Sequence, residues 1–444
     1  MNKEIALARH CLEFALSEGA EKARITLTRS LMDLVGVLNG EVDKVAHALD
    51  RSMQIQLFVD GKFGTFSSNC LEQEGLEAFI REAIGTVRML EEDRLRDLPA
   101  PSRLAKDAKT GLELGLYDET ISEFTPEKRR AIALESMTWP RKTQLEKGFV
   151  LISEEGEYSD SVFDSYTIDS QGLEARHTET SFEIGYETTI QDSEGNHLSS
   201  YWWDAAPFFK DLKWQDCAVT ALRRAVAQIG PGSVPSGKYN LIVDSECASK
   251  LVTPLLNALG GYALQQNNSF LADSLGKKVF SEKLTITDRP RTTGQTGSRL
   301  FDSEGVATKE MDIISQGVVK TYFLNTYMAA KMEMAPTVED ATRICVSPYG
   351  GCISQEDVLS KVGDGILVTG FNGGNSNSAT GNFSYGIEGF VVKDGKIGTP
   401  VREMLITGNF IDLWNKLTLA ADDARSCMSK QIPTLAFRDI DFAS

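Results

Sequence analysis

Residues 370–390 read Gly-Phe-Asn-Gly-Gly-Asn-Ser-Asn-Ser-Ala-Thr-Gly-Asn-Phe-Ser-Tyr-Gly-Ile-Glu-Gly-Phe, and no other run constrains the fold as strongly. Six glycines, four asparagines and three serines fill 13 of these 21 positions, and Glu388 is the only charge. Glycine lets the backbone take φ > 0 or approach another chain closely, and Asn or Ser side chains satisfy turn amides. A flexible linker has a similar composition, but here Phe371, Phe383, Tyr385 and Phe390 stand among the small residues. The pattern predicts strand ends that present backbone donors and acceptors to an extended ligand or a subunit. Its candidate contact residues are Asn372, Gly373, Gly374, Asn375, Ser376, Asn377, Phe383 and Tyr385. A surface hairpin that merely turns is the competing reading.

The chain has 444 residues, more than the roughly 250–300 over which a single core keeps growing, so two or three domains are expected. Its 46 basic and 63 acidic residues give a net charge of −17. Such a surface repels phosphate backbones and anionic membranes, which argues against direct nucleic-acid or membrane binding. There is no apolar run long enough to span a bilayer, and charges interrupt the N-terminal stretch where a signal peptide would be apolar. The seven cysteines, at 11, 70, 217, 247, 345, 352 and 427, form no Cys-x-x-Cys pair, which fits reduced thiols in a cytoplasmic protein.

Periodicity supplies the elements. Ile5, Ala8, Cys11 and Ala15 recur at helical spacing, as do Leu76, Ile80, Ala83 and Val87. Met53, Ile55, Leu57 and Val59 alternate up to Asp60-Gly61, a hairpin signal, with 63–66 as the returning strand. A helix is predicted from Thr125, with Pro126 in its first turn, and another over 218–229 ends at Gly230-Pro231. Phe182, Ile184, Tyr186 and Ile190 define a half-buried strand, which leaves His177 on the opposite, solvent-facing side. After a strand at 239–243 and a helix at 245–260 the chain reads mainly as β, with one late helix predicted over 404–419. Asp-Ser-x-Gly occurs at Asp169, Asp192, Asp273 and Asp302, and reads as turn chemistry. The fold class is α+β: mixed, mainly antiparallel sheets with flanking helices. The predicted division is an N-terminal α/β domain (1–95), a connector (96–118), a strand-rich middle domain (119–230) free to pack with the first, and a β-rich C-terminal domain (231–444).

Few residues offer catalytic chemistry. The histidines are His10, His47, His177 and His197, and none belongs to a His-Glu-x-x-His helix, so no metal site is predicted. Neither a phosphate-binding glycine loop nor a Gly-x-Ser-x-Gly elbow is present. Ser274-Leu-Gly-Lys277 matches Ser-x-x-Lys but overlaps one of the turns. Cys427 lies between Arg425 and Lys430, cations that lower a thiol pKa, and an idle buried thiol is the competing reading. The aromatic cluster Tyr201-Trp202-Trp203 with Phe208-Phe209 reads as core or subunit contact, and a ligand pocket is the alternative.

Residues 370–390, together with Val391-Val-Lys-Asp-Gly-Lys396 and Ile406-Thr-Gly-Asn409, resemble the TldD/PmbA family, and more narrowly its PmbA (TldE) branch, often labelled modulator of DNA gyrase. The resemblance runs over nearly the whole chain. It implies a cytoplasmic metallopeptidase complex acting on small or unfolded peptides. In that family the TldD-like subunit carries a His-Glu-x-x-x-His helix and a C-terminal cysteine as zinc ligands. The corresponding helix here reads Leu251-Val-Thr-Pro-Leu-Leu-Asn-Ala-Leu-Gly260, without histidine or glutamate, and Cys427 alone cannot hold a catalytic ion. The resemblance therefore implies a subunit without its own metal or cofactor, serving assembly and peptide positioning beside a TldD-like partner or as a homodimer. The alternatives are a regulatory protein acting on DNA gyrase and an independent hydrolase using Cys427.

Overall fold

A computed structural model of the chain describes residues 2–138 and 148–444. The first sheet contains strands β1 (Lys22–Leu38), β2 (Glu41–Val59), β3 (Lys62–Ser68), β4 (Phe149–Asp169), β5 (Glu174–Asp192) and β6 (His197–Ala206). All neighbours are antiparallel, in the order β3-β2-β1-β4-β5-β6. Strands of up to 21 residues run through segments whose sequence is too polar to show a clean alternation. The β1–β4 pairing, from Arg24 opposite Asp169 to Leu38 opposite Glu155, joins the first and middle parts of the chain in one sheet.

Helices cover that sheet with the apolar stripes their spacing defines. Helix α1 (Asn2–Ser17) sets Ala8, Cys11 and Ala15, and α2 (Gln73–Val87) sets Leu76, Ile80 and Ile84, against Ile25, Ile55 and Leu57. Each of the Leu and Ile side chains contributes roughly 1.5–3 kcal/mol by leaving water, more than the helix gains from propensity alone. Helix α3 (Pro126–Glu135) begins as expected, with the Thr125 hydroxyl accepting from the Lys128 amide. Helix α4 (Cys217–Ala227) buries Ala218, Ala221, Leu222 and Ala225, and the chain turns away at Gly230, φ +73°.

Beyond β7 (Gly237–Val243) and helix α5 (Ser249–Ala258) comes a small sheet of β8 (Ile286–Asp288), β9 (Met311–Ser315), β10 (Val318–Val319) and β11 (Ile344–Val346). The larger C-terminal sheet adds β12 (Gly365–Ser376), β13 (Asn382–Lys393), β14 (Lys396–Asn409), β15 (Leu417–Ala420) and β16 (Leu435–Ala443) to β7. Its order is β14-β13-β12-β7-β16-β15, and β14 also pairs with β16, so the sheet curls back on itself. One face packs Leu241, Val243, Ile366, Val368 and Ile387 against Leu251, Val252 and Leu255 of α5. The α+β class is confirmed, and no described helix is long and apolar enough to cross a membrane.

Two expectations are corrected. The predicted helix over 404–419 is mostly strand, because Met404 and Ile406 pair with Ile387 and Tyr385 of β13; only Phe410–Asn415 is helical. His177 is buried rather than solvent-facing. The connector pairs with β5 through the Thr178 amide to the Gly111 carbonyl, and Arg299 bonds Glu179 beside the ring, so a further layer closes over that face. Alternation along one strand carries no information about such a layer.

The Asp-Ser-x-Gly turns form where expected, with positive φ at Gly172, Gly195, Gly276 and Gly305. At Asp169, Asp192 and Asp302 one carboxylate oxygen accepts from two backbone amides beyond it. Asp169 does more: its other oxygen meets Arg24 Nη2 at 2.9 Å with both side chains buried, at the end of the β1–β4 register. Breaking a buried pair strands the remaining charge, so Asp169→Ala should lower unfolding free energy by about 3–5 kcal/mol. Asp273 makes no such pair among the described residues, and Asp273→Asn should stay within about 0.5 kcal/mol when both variants are compared with the parent by urea titration.

Candidate functional site

The Gly/Asn/Ser run forms the β12–β13 hairpin. Asn377 Oδ1 accepts from the Ala379 and Thr380 amides at 2.9 and 3.0 Å, and Gly381 turns at φ +76°. The tip is tied down by the Phe270 amide on the Ser378 carbonyl and by Asn409 Nδ2 on the Thr380 carbonyl. Asn372, Gly373, Gly374, Asn375, Ser376 and Asn377 are all exposed. Phe383 and Tyr385 are buried instead; their rings stack 5.4 Å apart, and Phe383 lies 4.8 Å from Phe410. The aromatics anchor the hairpin to the core while the small residues project from it.

Strand β12 pairs in parallel with β7 only from Ile366 to Val368. Past that point β7 has ended, and the Asp244 amide on the Val368 carbonyl closes the pairing. Over 370–376, among the described residues, no strand lies on the edge of β12 turned away from β13. Such an edge offers backbone amides and carbonyls to an incoming extended chain.

The second cluster surrounds the loop between β15 and β16. Arg425 reaches out of this loop to bond Glu246 Oε2 and the Trp203 carbonyl, and lies 3.8 Å from Asp204 Oδ1. Its guanidinium also stacks 4.2 Å from the centre of the Trp202 ring, while Trp203 Nε1 donates to Glu246 Oε1 at 2.9 Å. The sequence analysis missed this constellation; its signal was Trp202-Trp203-Asp204, an aromatic pair directly followed by an acid. Cys427 is buried beside it, and burial pushes its thiol up to about 11 despite Arg425 nearby. Almost none of it is thiolate at neutral pH, so the loop does not supply an activated nucleophile.

The zinc that the family resemblance implies finds no matching residues in α5. Its inward face is Leu251, Val252, Leu255 and Ala258, and Pro254 lies within the helix. Lys430 Nζ donates to Thr253 Oγ1 at 2.9 Å, so an ammonium stands against the helix. Zn²⁺ needs thiolate, imidazole or carboxylate donors, and it would meet like charge from Lys430 and Arg425 here. No group of three or more His, Cys, Asp or Glu is placed to hold a metal among the described residues.

The remaining candidates serve local structure. His10 Nε2 bonds Glu77 Oε1 at 2.8 Å, and His197 lies beside Gln191 on the surface. Ser274 is buried with its hydroxyl on the Leu271 carbonyl, as the turn reading requires. Phe209 packs against Phe124 and Phe182 on the α3 side of the first sheet, whereas Tyr201 is exposed.

This three-part arrangement, with one long antiparallel sheet followed by a curled sheet carrying a glycine-rich hairpin, is that of the PmbA/TldA metallopeptidases. Family models for domain 1, the central domain and the C-terminal domain match residues 23–86, 121–229 and 236–444, and the chain belongs to that family. The metalloprotease PmbA of Escherichia coli O157:H7 is 26% identical over 432 residues, covering 96% of this chain and 92% of that protein. A solved structure from Bacteroides thetaiotaomicron, labelled a modulator of DNA gyrase, is 35% identical with a TM-score of 0.94, covering 100% of this chain and 99% of that one. TldE from Thermococcus kodakarensis shares the fold at 19% identity and a TM-score of 0.84, covering 99% of this chain and 100% of that one.

Thiol labelling tests the burial of the loop. With iodoacetamide at pH 7.5, exposed Cys70 should react fast and Cys427 at least about a hundredfold more slowly until the protein is unfolded. Equal rates at the two sites would contradict this account of Cys427.

Proposed function

We propose that this chain is a PmbA/TldE-type subunit of a cytoplasmic peptidase complex, and that a TldD-like partner carries the zinc. Hydrolysis belongs to the partner, while this chain supplies an assembly surface and an edge that positions peptide. The observation that carries the reading is α5: its inward face is aliphatic and Lys430 stands against it. A helix so built cannot activate water.

The edge of β12 over 370–376 supports peptide positioning, because pairing through backbone groups tolerates many side chains. Gly373, at φ +153°, has nothing within 4 Å of an added Cβ, so only backbone strain opposes a side chain there, whereas at Gly374 a Cβ would sit 2.0 Å from the Ser384 carbonyl oxygen. Subunit contact is supported by the outer part of the β1–β2 hairpin, where Val45 is 69% and Leu49 47% exposed. The seven unpaired cysteines fit a reducing compartment.

Three measurements on purified proteins test the reading. The chain alone should leave an unstructured peptide intact, and a mixture with a TldD-like partner should cleave it. Val45→Lys with Leu49→Lys should abolish co-purification of that partner. Gly373→Ala should raise the KM of the mixture several-fold, at a backbone-strain cost of about 1–3 kcal/mol in stability. Peptidase activity of the isolated chain, or recovery of gyrase in place of a TldD-like chain, would overturn the proposal.

A further inference from the structure

A cavity of about 300 Å³ opens between α4 and strands β12, β13 and β14, on the sheet face turned away from α5. Strand geometry sets its lining. Ile387 and Val401 point into the α5 core, so their neighbours Glu388 and Arg402 project to the other face, toward α4. From α4 come Arg223 and Arg224, off the helix's buried stripe. Phe390 and Pro400 provide an apolar wall.

The charges in this cavity are unbalanced. Among the described residues Arg223, Arg224 and Arg402 make no ion pair. Arg402 donates one amino group to Gln228 Oε1, but its Nε is buried with no hydrogen-bond partner. Arg224 stacks 5.0 Å from the centre of the Trp202 ring. Of the two acids lining the cavity, Asp244 is already engaged, with one oxygen on the Glu246 amide and the other on Gln355 Nε2. Glu388 lies over Gly370, and among the described residues its carboxylate makes no hydrogen bond or ion pair. Among the described residues no carboxylate pairs with these three guanidinium groups, which stand around an open space. A buried N–H without a partner costs about 1–3 kcal/mol unless something fills its place.

We infer that this cavity binds a carboxylate carried next to an apolar group, the chemistry shared by the C-terminal residue of a peptide and a free apolar acid. The arginines receive the carboxylate, since a guanidinium fork matches its two oxygens. The apolar group rests on Phe390 and Pro400, and the cavity has the size of a small ligand site. The inference does not rest on the subunit assignment, because binding is read on the isolated full-length chain.

Isothermal titration with N-acetyl-leucine, Gly-Gly-Leu and N-acetyl-leucinamide tests it. Both carboxylates should bind saturably at one site, and the uncharged amide at least about tenfold more weakly. Arg402→Gln and Arg223→Gln should each weaken carboxylate binding by about tenfold or more, with unchanged thermal unfolding, and Glu388→Gln should strengthen it. Tighter binding of Gly-Gly-Leu identifies a peptide end as the occupant; equal affinity identifies a free acid. Absence of saturable carboxylate binding, equal affinity for the amide, or indifference of the folded Arg402→Gln and Arg223→Gln variants would overturn the inference.

Discussion

Arg425 ties the two large sheets to each other through buried charge. It leaves the C-terminal loop, bonds Glu246 just past the end of β7, and caps the Trp203 carbonyl in β6 of the first sheet. Its guanidinium, Glu246 and Asp204 are all largely buried, and each charge is tolerable only beside the others. The stacking of Trp202 on the same group fixes the guanidinium plane as well as its charge. Several turns of loop between β15 and β16 take their position from this anchor, Cys427 among them.

The same loop explains the chemistry around α5. In the family resemblance a helix and a C-terminal cysteine together hold zinc. Here the loop brings Arg425 and Lys430 instead, and the helix presents aliphatic side chains to the core and Thr253 to an ammonium. Positive charge and apolar packing occupy the position from both sides. A single change to histidine would not create a metal centre, because the cations and Pro254 would remain. Beside this helix the scaffold presents a glycine-rich hairpin held by buried rings, with one strand edge left open beyond β7 among the described residues.

Much of this was legible in the sequence, but unevenly. Helices α1, α2, α3 and α4 followed from apolar spacing and caps, and the Asp-Ser-x-Gly turns from the need for φ > 0 at glycine. The hairpin was legible from composition, although the sequence did not reveal that Phe383 and Tyr385 face inward while the residues 372–377 stay exposed. Long-range pairing was hidden. The union of β1 with β4 links residues more than a hundred positions apart, and the β14–β16 contact closes the second sheet without any local mark. His177 failed for a similar reason, since its cover comes from Gly111 and Arg299. Arg425 was illegible because its partners Glu246 and Asp204 come from distant parts of the chain, and Arg223, Arg224 and Arg402 because no carboxylate among the described residues pairs with them.

The central claim of the proposal is that no constellation among the described residues grips a catalytic ion. Zinc content by plasma mass spectrometry decides it, on the chain purified alone and on its complex with a TldD-like partner, each after dialysis against a mild chelator. The account predicts a negligible amount in the isolated chain and stoichiometric zinc only in the complex. Stoichiometric zinc retained by the isolated chain would contradict it.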